Sequence, residues 1–124
     1  MNDIYIFNLV ERRWECPLIK GTYPLSRESF SFVFARKDSI FLFGGYATGS
    51  SKNDLMELDL KEMRWNKLST YGTVPIERQG MAVTKHMNHL IFAGGCDYAL
   101  KKCFPEIYSI NVDSLVWTRI NDNA

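Results

Sequence analysis

Histidine, cysteine and blocks of like charge are all scarce in this 124-residue chain, and each scarcity argues against a class of function. The two histidines, His86 and His89, flank a short turn with Asn88 and lack a second pair of ligands, so no metal site is expected. Three cysteines, an odd number, give no disulfide framework. Cys96 and Cys103 share one loop and could bridge or react as a pair, but two free thiols in a reducing, cytoplasmic setting are expected. Fifteen basic residues against fourteen acidic ones leave a charge of +1, and the basic residues are scattered. That balance supplies no electrostatic footprint for nucleic acid or an anionic membrane. The opening "MNDIYIFNLVERRW" has only a short apolar run, with Asp3 before it, and reads as neither signal peptide nor membrane span. No segment carries a sustained 3.6-residue apolar stripe, so no helix is expected. No Ser-His-Asp set can be assembled and no carboxylate pair recurs at a site-like spacing, so neither enzyme chemistry nor a cofactor is expected.

What the chain has in abundance is core material and self-similarity. Hydrophobic residues make up 46% and aromatics 14%, enough for one packed domain. Tryptophan falls at 14, 65 and 117, a spacing near 50. Sliding the chain by 51 lays "GTYPLSRESF" (21–30) on "GTVPIERQGM" (72–81), matching Gly21 with Gly72, Pro24 with Pro75 and Arg27 with Arg78. "IFLFGG" (40–45) lies over "LIFAGG" (90–95). "NDIYIFNLVERRW", "NDLMELDLKEMRW" and "PEIYSINVDSLVW" align without gaps, with Asp3, Asp54 and Glu106 standing before the three tryptophans. A fixed period of this length is the signature of a repeat architecture.

Within each unit the period is that of strands. "SFSFVFA" alternates, placing Phe30, Phe32 and Phe34 on one face and Ser29, Ser31 and Val33 on the other. "SIFLFGG" is continuously apolar, as in a strand covered on both faces, and "DLMELDL" alternates again. The pattern predicts four antiparallel strands in the first unit, at 28–35, 39–45, 54–60 and 64–70. The second unit should carry them at 79–86, 89–95, 106–112 and 115–120. Residues 3–9 and 13–19 repeat only the last two strands.

The double glycines, the acidic-hydrophobic strand and the tryptophan at this period resemble kelch repeats. The Gly-x-x-Pro-x-x-Arg element is similar to the subclass found in host-cell-factor and Rab-effector type proteins. Phe7, Leu58 and Ile110 stand where that family often has tyrosine, and Phe30 and Met81 replace a frequent histidine; all keep core-sized side chains. The resemblance implies an all-β kelch-type propeller segment: two complete four-stranded blades (21–71 and 72–121), a preceding half-blade (1–20) and a tail (122–124). Two and a half repeats leave open faces, so further blades or self-association are expected to cover them. It also implies a non-enzymatic scaffold that binds a protein partner. The alternatives are a piece of a larger enzyme, such as a kelch-phosphatase fusion, or of a ubiquitin-ligase substrate adaptor, which would need a BTB or F-box segment.

"FLFGGYATGSSK" (41–52) could suggest a phosphate cradle, but Gly49 is followed by Ser50 and Ser51 before Lys52, and a strand rather than a helix comes next. Gly44, Gly45, Gly94 and Gly95 are therefore read as backbone requirements. Trp14, Trp65 and Trp117 are expected in the inter-blade core, Arg27 and Arg78 as donors to the adjacent blade, and Asp3, Asp54 and Glu106 as acceptors for loop amides. The loops that do not repeat, "YATGSSKN" and "CDYALKKCFP", are where specificity is expected. Tyr46, Lys52, Tyr98, Lys101, Lys102 and Phe104 are the candidate partner contacts, aromatic anchors with cationic neighbours.

Overall fold

Alternating apolar positions pair into short strands because each strand buries one or both faces against a neighbouring repeat. The computed structural model describes residues 2–121, and the tail assigned to 122–124 lies outside the described residues. The half-blade is the antiparallel pair β1 (Ile6–Asn8) and β2 (Arg13–Glu15). The first blade consists of β4 (Ser31–Arg36), β5 (Ser39–Phe43), β8 (Leu55–Asp59) and β9 (Arg64–Leu68), hydrogen-bonded in that order and antiparallel throughout. The second repeats this with β11 (Ala82–His86), β12 (His89–Ala93), β15 (Ile107–Asn111) and β16 (Val116–Arg119). The chain is thus an all-β propeller segment without a closed barrel.

Two features lie outside the expected four strands. Each blade gains a fifth, outermost strand that runs parallel: β3 (Lys20–Gly21) on β9, and β10 (Tyr71–Gly72) on β16. These two-residue strands are where the chain steps from one unit to the next. A Cβ added at Gly21 would lie 2.2 Å from the Trp65 carbonyl oxygen, and one at Gly72 would lie 2.3 Å from that of Trp117. The repeated glycine before Pro24 and Pro75 is therefore demanded by close approach to the strand that carries the tryptophan. The second feature is a small hairpin in each long loop: β6 (Tyr46–Ala47) with β7 (Ser50–Ser51), and β13 (Cys96–Asp97) with β14 (Lys102–Cys103).

The innermost strands begin later than expected, at Ser31 and Ala82, because the preceding residues bond elsewhere. Glu28 bridges to Tyr46 and Gln79 to Cys96, which takes both segments out of the main ladder. The turns at the opposite end of the blades repeat a device that the sequence comparison passed over. Asn8, Asp59 and Asn111 each accept two backbone N–H bonds through a side-chain oxygen, at 2.9–3.0 Å, and so close the turn before the tryptophan strand.

Two cores separate the three units. Between the blades, Phe41, Phe43 and Leu55 of the first meet Leu90, Phe92, Tyr108, Ile110 and Trp117 of the second. Ring centroids of Phe43, Phe92 and Trp117 stand 4.9–5.3 Å apart, the tilted packing aromatic quadrupoles favour. On the other face of the first blade, Leu42, Met56, Leu58 and Trp65 pack with Ile19 and Ile4 from the half-blade side. Trp65 and Trp117 are thus buried by the unit before them. Trp14 departs from the expected role: it is 68% exposed and packs its ring against Phe7, at 5.1 Å between centroids. Phe30, Phe32 and Phe34 are also about half exposed, on the face of β4 that looks toward the half-blade. The described strands of the half-blade, β1 and β2, leave that face partly open.

Candidate protein-binding face

The start of β4, the end of β5, the start of β8 and the end of β9 all lie at one end of the first blade, and the second blade repeats the arrangement. The double glycines, the arginine loops and the long non-repeating loops therefore share one face. Arg27 is nearly fully buried and holds Asp54 bidentately at 2.6 and 2.9 Å, while donating to the carbonyls of Gly44 (3.1 Å) and Leu25 (3.0 Å). Arg78 repeats the scheme with Glu106 (3.3 Å), Gly94 O (3.3 Å) and Ile76 O (3.1 Å). Its guanidinium also lies over the rings of Phe104 at 4.1 Å and Tyr108 at 5.4 Å.

These arginines correct one expectation. Their side chains tie strands within their own blade, and the acidic residues pair with them rather than with loop amides. The tie to the adjacent blade is made by backbone: Gly45 N–H donates to Arg78 O, and Arg78 N–H to Lys52 O, both at 3.1 Å. The second glycine of each pair sits at φ +93°, and a Cβ there would meet Glu28 O at 2.7 Å or Gln79 O at 3.0 Å. Partial burial by itself pushes the Glu106 carboxyl up, but a bond from its own backbone amide and the charges of Arg78 and Arg119 bring it below the ordinary value. Asp3, the counterpart in the half-blade, is exposed and forms no ion pair with an arginine among the described residues.

The candidate contact residues separate on this frame. Tyr98 is 67% exposed, Lys101 and Lys102 are exposed, and Tyr46 and Lys52 are partly so. Phe104, at 4% exposure, is not a surface residue: it is clamped beneath Arg78, with Lys102 Nζ 5.4 Å from its ring. Leu100, passed over in the sequence, is as exposed as Tyr98; an apolar side chain in a lysine-bordered turn was the readable signal. Cys96 and Cys103, expected as free thiols, form a disulfide, while Cys16 is free and exposed. The physical reason is register. The two cysteines are direct cross-strand partners with Cα atoms 4.0 Å apart, a position that Tyr46 and Ser51 occupy in the first blade. His86 and His89 pair across the β11–β12 turn and are exposed, and no group of three metal-ligating side chains occurs among the described residues.

The family model described as the KLHDC2/KLHL20/DRC7 kelch-repeats domain matches residues 1–124. The chain belongs to the kelch-repeat family. Human host cell factor 2 is 30% identical over 97% of this kelch chain and 18% of its own length. A Rho GTPase-activating protein of Dictyostelium discoideum, gacHH, is 31% identical over 81% of the chain and 7% of itself. Acyl-CoA-binding domain-containing protein 5 of Arabidopsis thaliana is 29% identical over 95% of the chain and 18% of itself. The kelch chain thus spans less than a fifth of each of these relatives. The names of these relatives differ, and what each shares with this chain is the matched kelch-like stretch.

Proposed function

We propose that this kelch segment is a non-enzymatic protein-interaction module that takes its partner on the face formed by the arginine and Gly-Gly loops. One observation carries the reading: on two equivalent, internally locked frames stand two loops of different length and content. Gly44 to Asp54 closes in ten residue steps and Gly94 to Glu106 in twelve, and the residues between them differ. Tyr46, Tyr98, Leu100, Lys101, Lys102 and Lys52 supply aromatic and apolar contact area with cationic neighbours there, whereas the glycines, arginines and carboxylates are consumed by the frame.

The test is affinity capture with the wild-type chain and a Tyr98→Ala, Leu100→Ala, Lys101→Ala variant, which spares the buried Phe104. A Lys61→Ala, Glu62→Ala variant at the opposite end serves as control. Proteins retained by wild type and control should be lost from the triple variant at matched circular dichroism. An unchanged set of captured proteins would sink the loop-face proposal.

A second reading is that the segment serves a larger, multidomain protein, as an enzyme's kelch region or a ubiquitin-ligase adaptor. It is favoured by the small share of each relative that the chain spans. Sequencing the coding region on both sides discriminates the readings: a catalytic, BTB or F-box segment in frame would establish the second.

A further inference from the structure

Two equivalent backbone bridges set four side chains around one groove. Glu28 and Tyr46 exchange N–H···O bonds at 3.1 and 2.8 Å, so their side chains are cross-strand neighbours on one side of the bridge. Gln79 does the same with Cys96 at 2.9 and 2.8 Å, and the disulfide from Cys96 holds the hairpin that presents Tyr98. Gly80 N–H donates to Ser29 O at 2.8 Å, which locks the two loops together. Between them lies an open groove of about 310 Å³, lined by Glu28, Tyr46, Gln79, Tyr98 and Ala99.

The lining carries one carboxylate, one amide and two phenols. Gln79 Oε1 is buried and accepts no hydrogen bond. The Glu28 carboxylate is exposed and forms no ion pair among the described residues, although Lys52, Lys101 and Lys102 rise from the same face. Lys52 is bonded to Ser50 Oγ and Lys102 stands over Phe104. The two phenol rings add faces of negative potential. Aromatic faces beside an exposed, unpaired carboxylate are complementary to a planar cation that can stack and donate at the same time. A guanidinium does both, whereas an ammonium offers no plane to stack.

We propose that this groove receives an arginine side chain of the partner protein, stacked against Tyr46 and Tyr98 and donating to the Glu28 carboxylate. The assignment rests on the interaction reading above and gives it a chemistry. The test is an NMR titration of the full chain with the peptide acetyl-Gly-Gly-Arg-Gly-Gly-amide, against the same peptide carrying lysine or citrulline. The arginine peptide should shift the resonances of residues 28, 46, 79 and 98 saturably, and less at higher salt. The lysine peptide should bind more weakly, and the citrulline peptide should lose most of the effect. Glu28→Gln, at a carboxylate with no ion pair among the described residues, should weaken the arginine peptide about tenfold or more, as loss of a charge-assisted bond does. Equal binding of arginine and citrulline, equal binding of arginine and lysine, or indifference to Glu28→Gln would each overturn the assignment. If the arginine peptide fails to bind while the Tyr98, Leu100, Lys101 variant still loses its captured proteins, the interaction face stands and the arginine assignment falls.

Discussion

Replacing Gly72 by alanine should unfold the second blade far more easily than replacing Gly49, although both glycines have positive φ. At Gly49 (φ +84°) a new Cβ meets nothing within 4 Å, so the substitution carries only the conformational cost of the left-handed region, roughly 1–2 kcal/mol. A smaller unfolded-state gain, roughly 0.4–1 kcal/mol, offsets part of it. Gly72 (φ +81°) incurs the same cost, and its Cβ would also lie 2.3 Å from the Trp117 carbonyl oxygen. Backbone cannot yield there as a flexible side chain would, so β10 must lift from β16. That movement breaks the Tyr71 N–H to Leu115 O and Thr73 N–H to Trp117 O bonds, both 3.0 Å. At about 0.5–1.5 kcal/mol each, their loss adds about 1–3 kcal/mol. The difference between the two variants is then about 1–3 kcal/mol, a large part of a small domain's total stability. Urea unfolding followed by tryptophan emission reads it as a separation of midpoints at unchanged slope. Coincident midpoints would refute the close-approach argument and return the repeated glycine to a merely permissive role.

Three further outcomes follow from the same structure. Trp14→Ser should reduce any concentration-dependent association in size-exclusion chromatography while leaving the unfolding midpoint nearly unchanged, since this indole is not in either core; a collapse in stability would contradict its exposure. Glu106 titrates below its unfolded value, so its contribution is present above about pH 4.3 and is lost as pH falls through the lower folded value. Glu106→Gln should accordingly narrow the gap in unfolding midpoint between pH 6 and pH 3, and an unaltered gap would remove the Arg78 pair as its cause. Reduction by a dithiol should release the eight-residue ring closed by Cys96 and Cys103. That should lower stability by at most about 2–3 kcal/mol on the chain-entropy account and raise hydrogen exchange at residues 97–102 without melting β11 or β12.

Legibility in the sequence tracked how far a feature depends on side-chain period. Strand identity, the double glycines and the burial of Trp65 and Trp117 were readable because alternation and recurrence report directly on which faces are covered. The parallel strands at Lys20–Gly21 and Tyr71–Gly72 were not, because two residues carry no period; only the repeated glycine hinted at them. The arginine–carboxylate pairs recur in sequence, but their intrablade geometry depends on loops crossing one another. The placement of Phe104 had the same obstacle: a phenylalanine in a loop looks like an anchor until Arg78 is seen lying across it. The cysteine pair is not legible because composition carries no register, and only the β13–β14 hairpin sets Cys96 opposite Cys103. Among the contact candidates, Glu28 and Gln79 were invisible as a pair, since they belong to different repeats and meet only through the groove.

The crossing of the arginine loop has an evolutionary consequence. Arg78 gives its side chain to one blade and its peptide groups to the one before, so a substitution there is felt by both copies of the repeat. After duplication, the two copies are not free to drift separately at such positions, and change must be matched or rejected in pairs. The hairpin tips beyond Tyr46 and Cys96 serve one blade each and accept length changes, as the two extra residues of the second loop record. Divergence is thereby channelled into the tips of the hairpins.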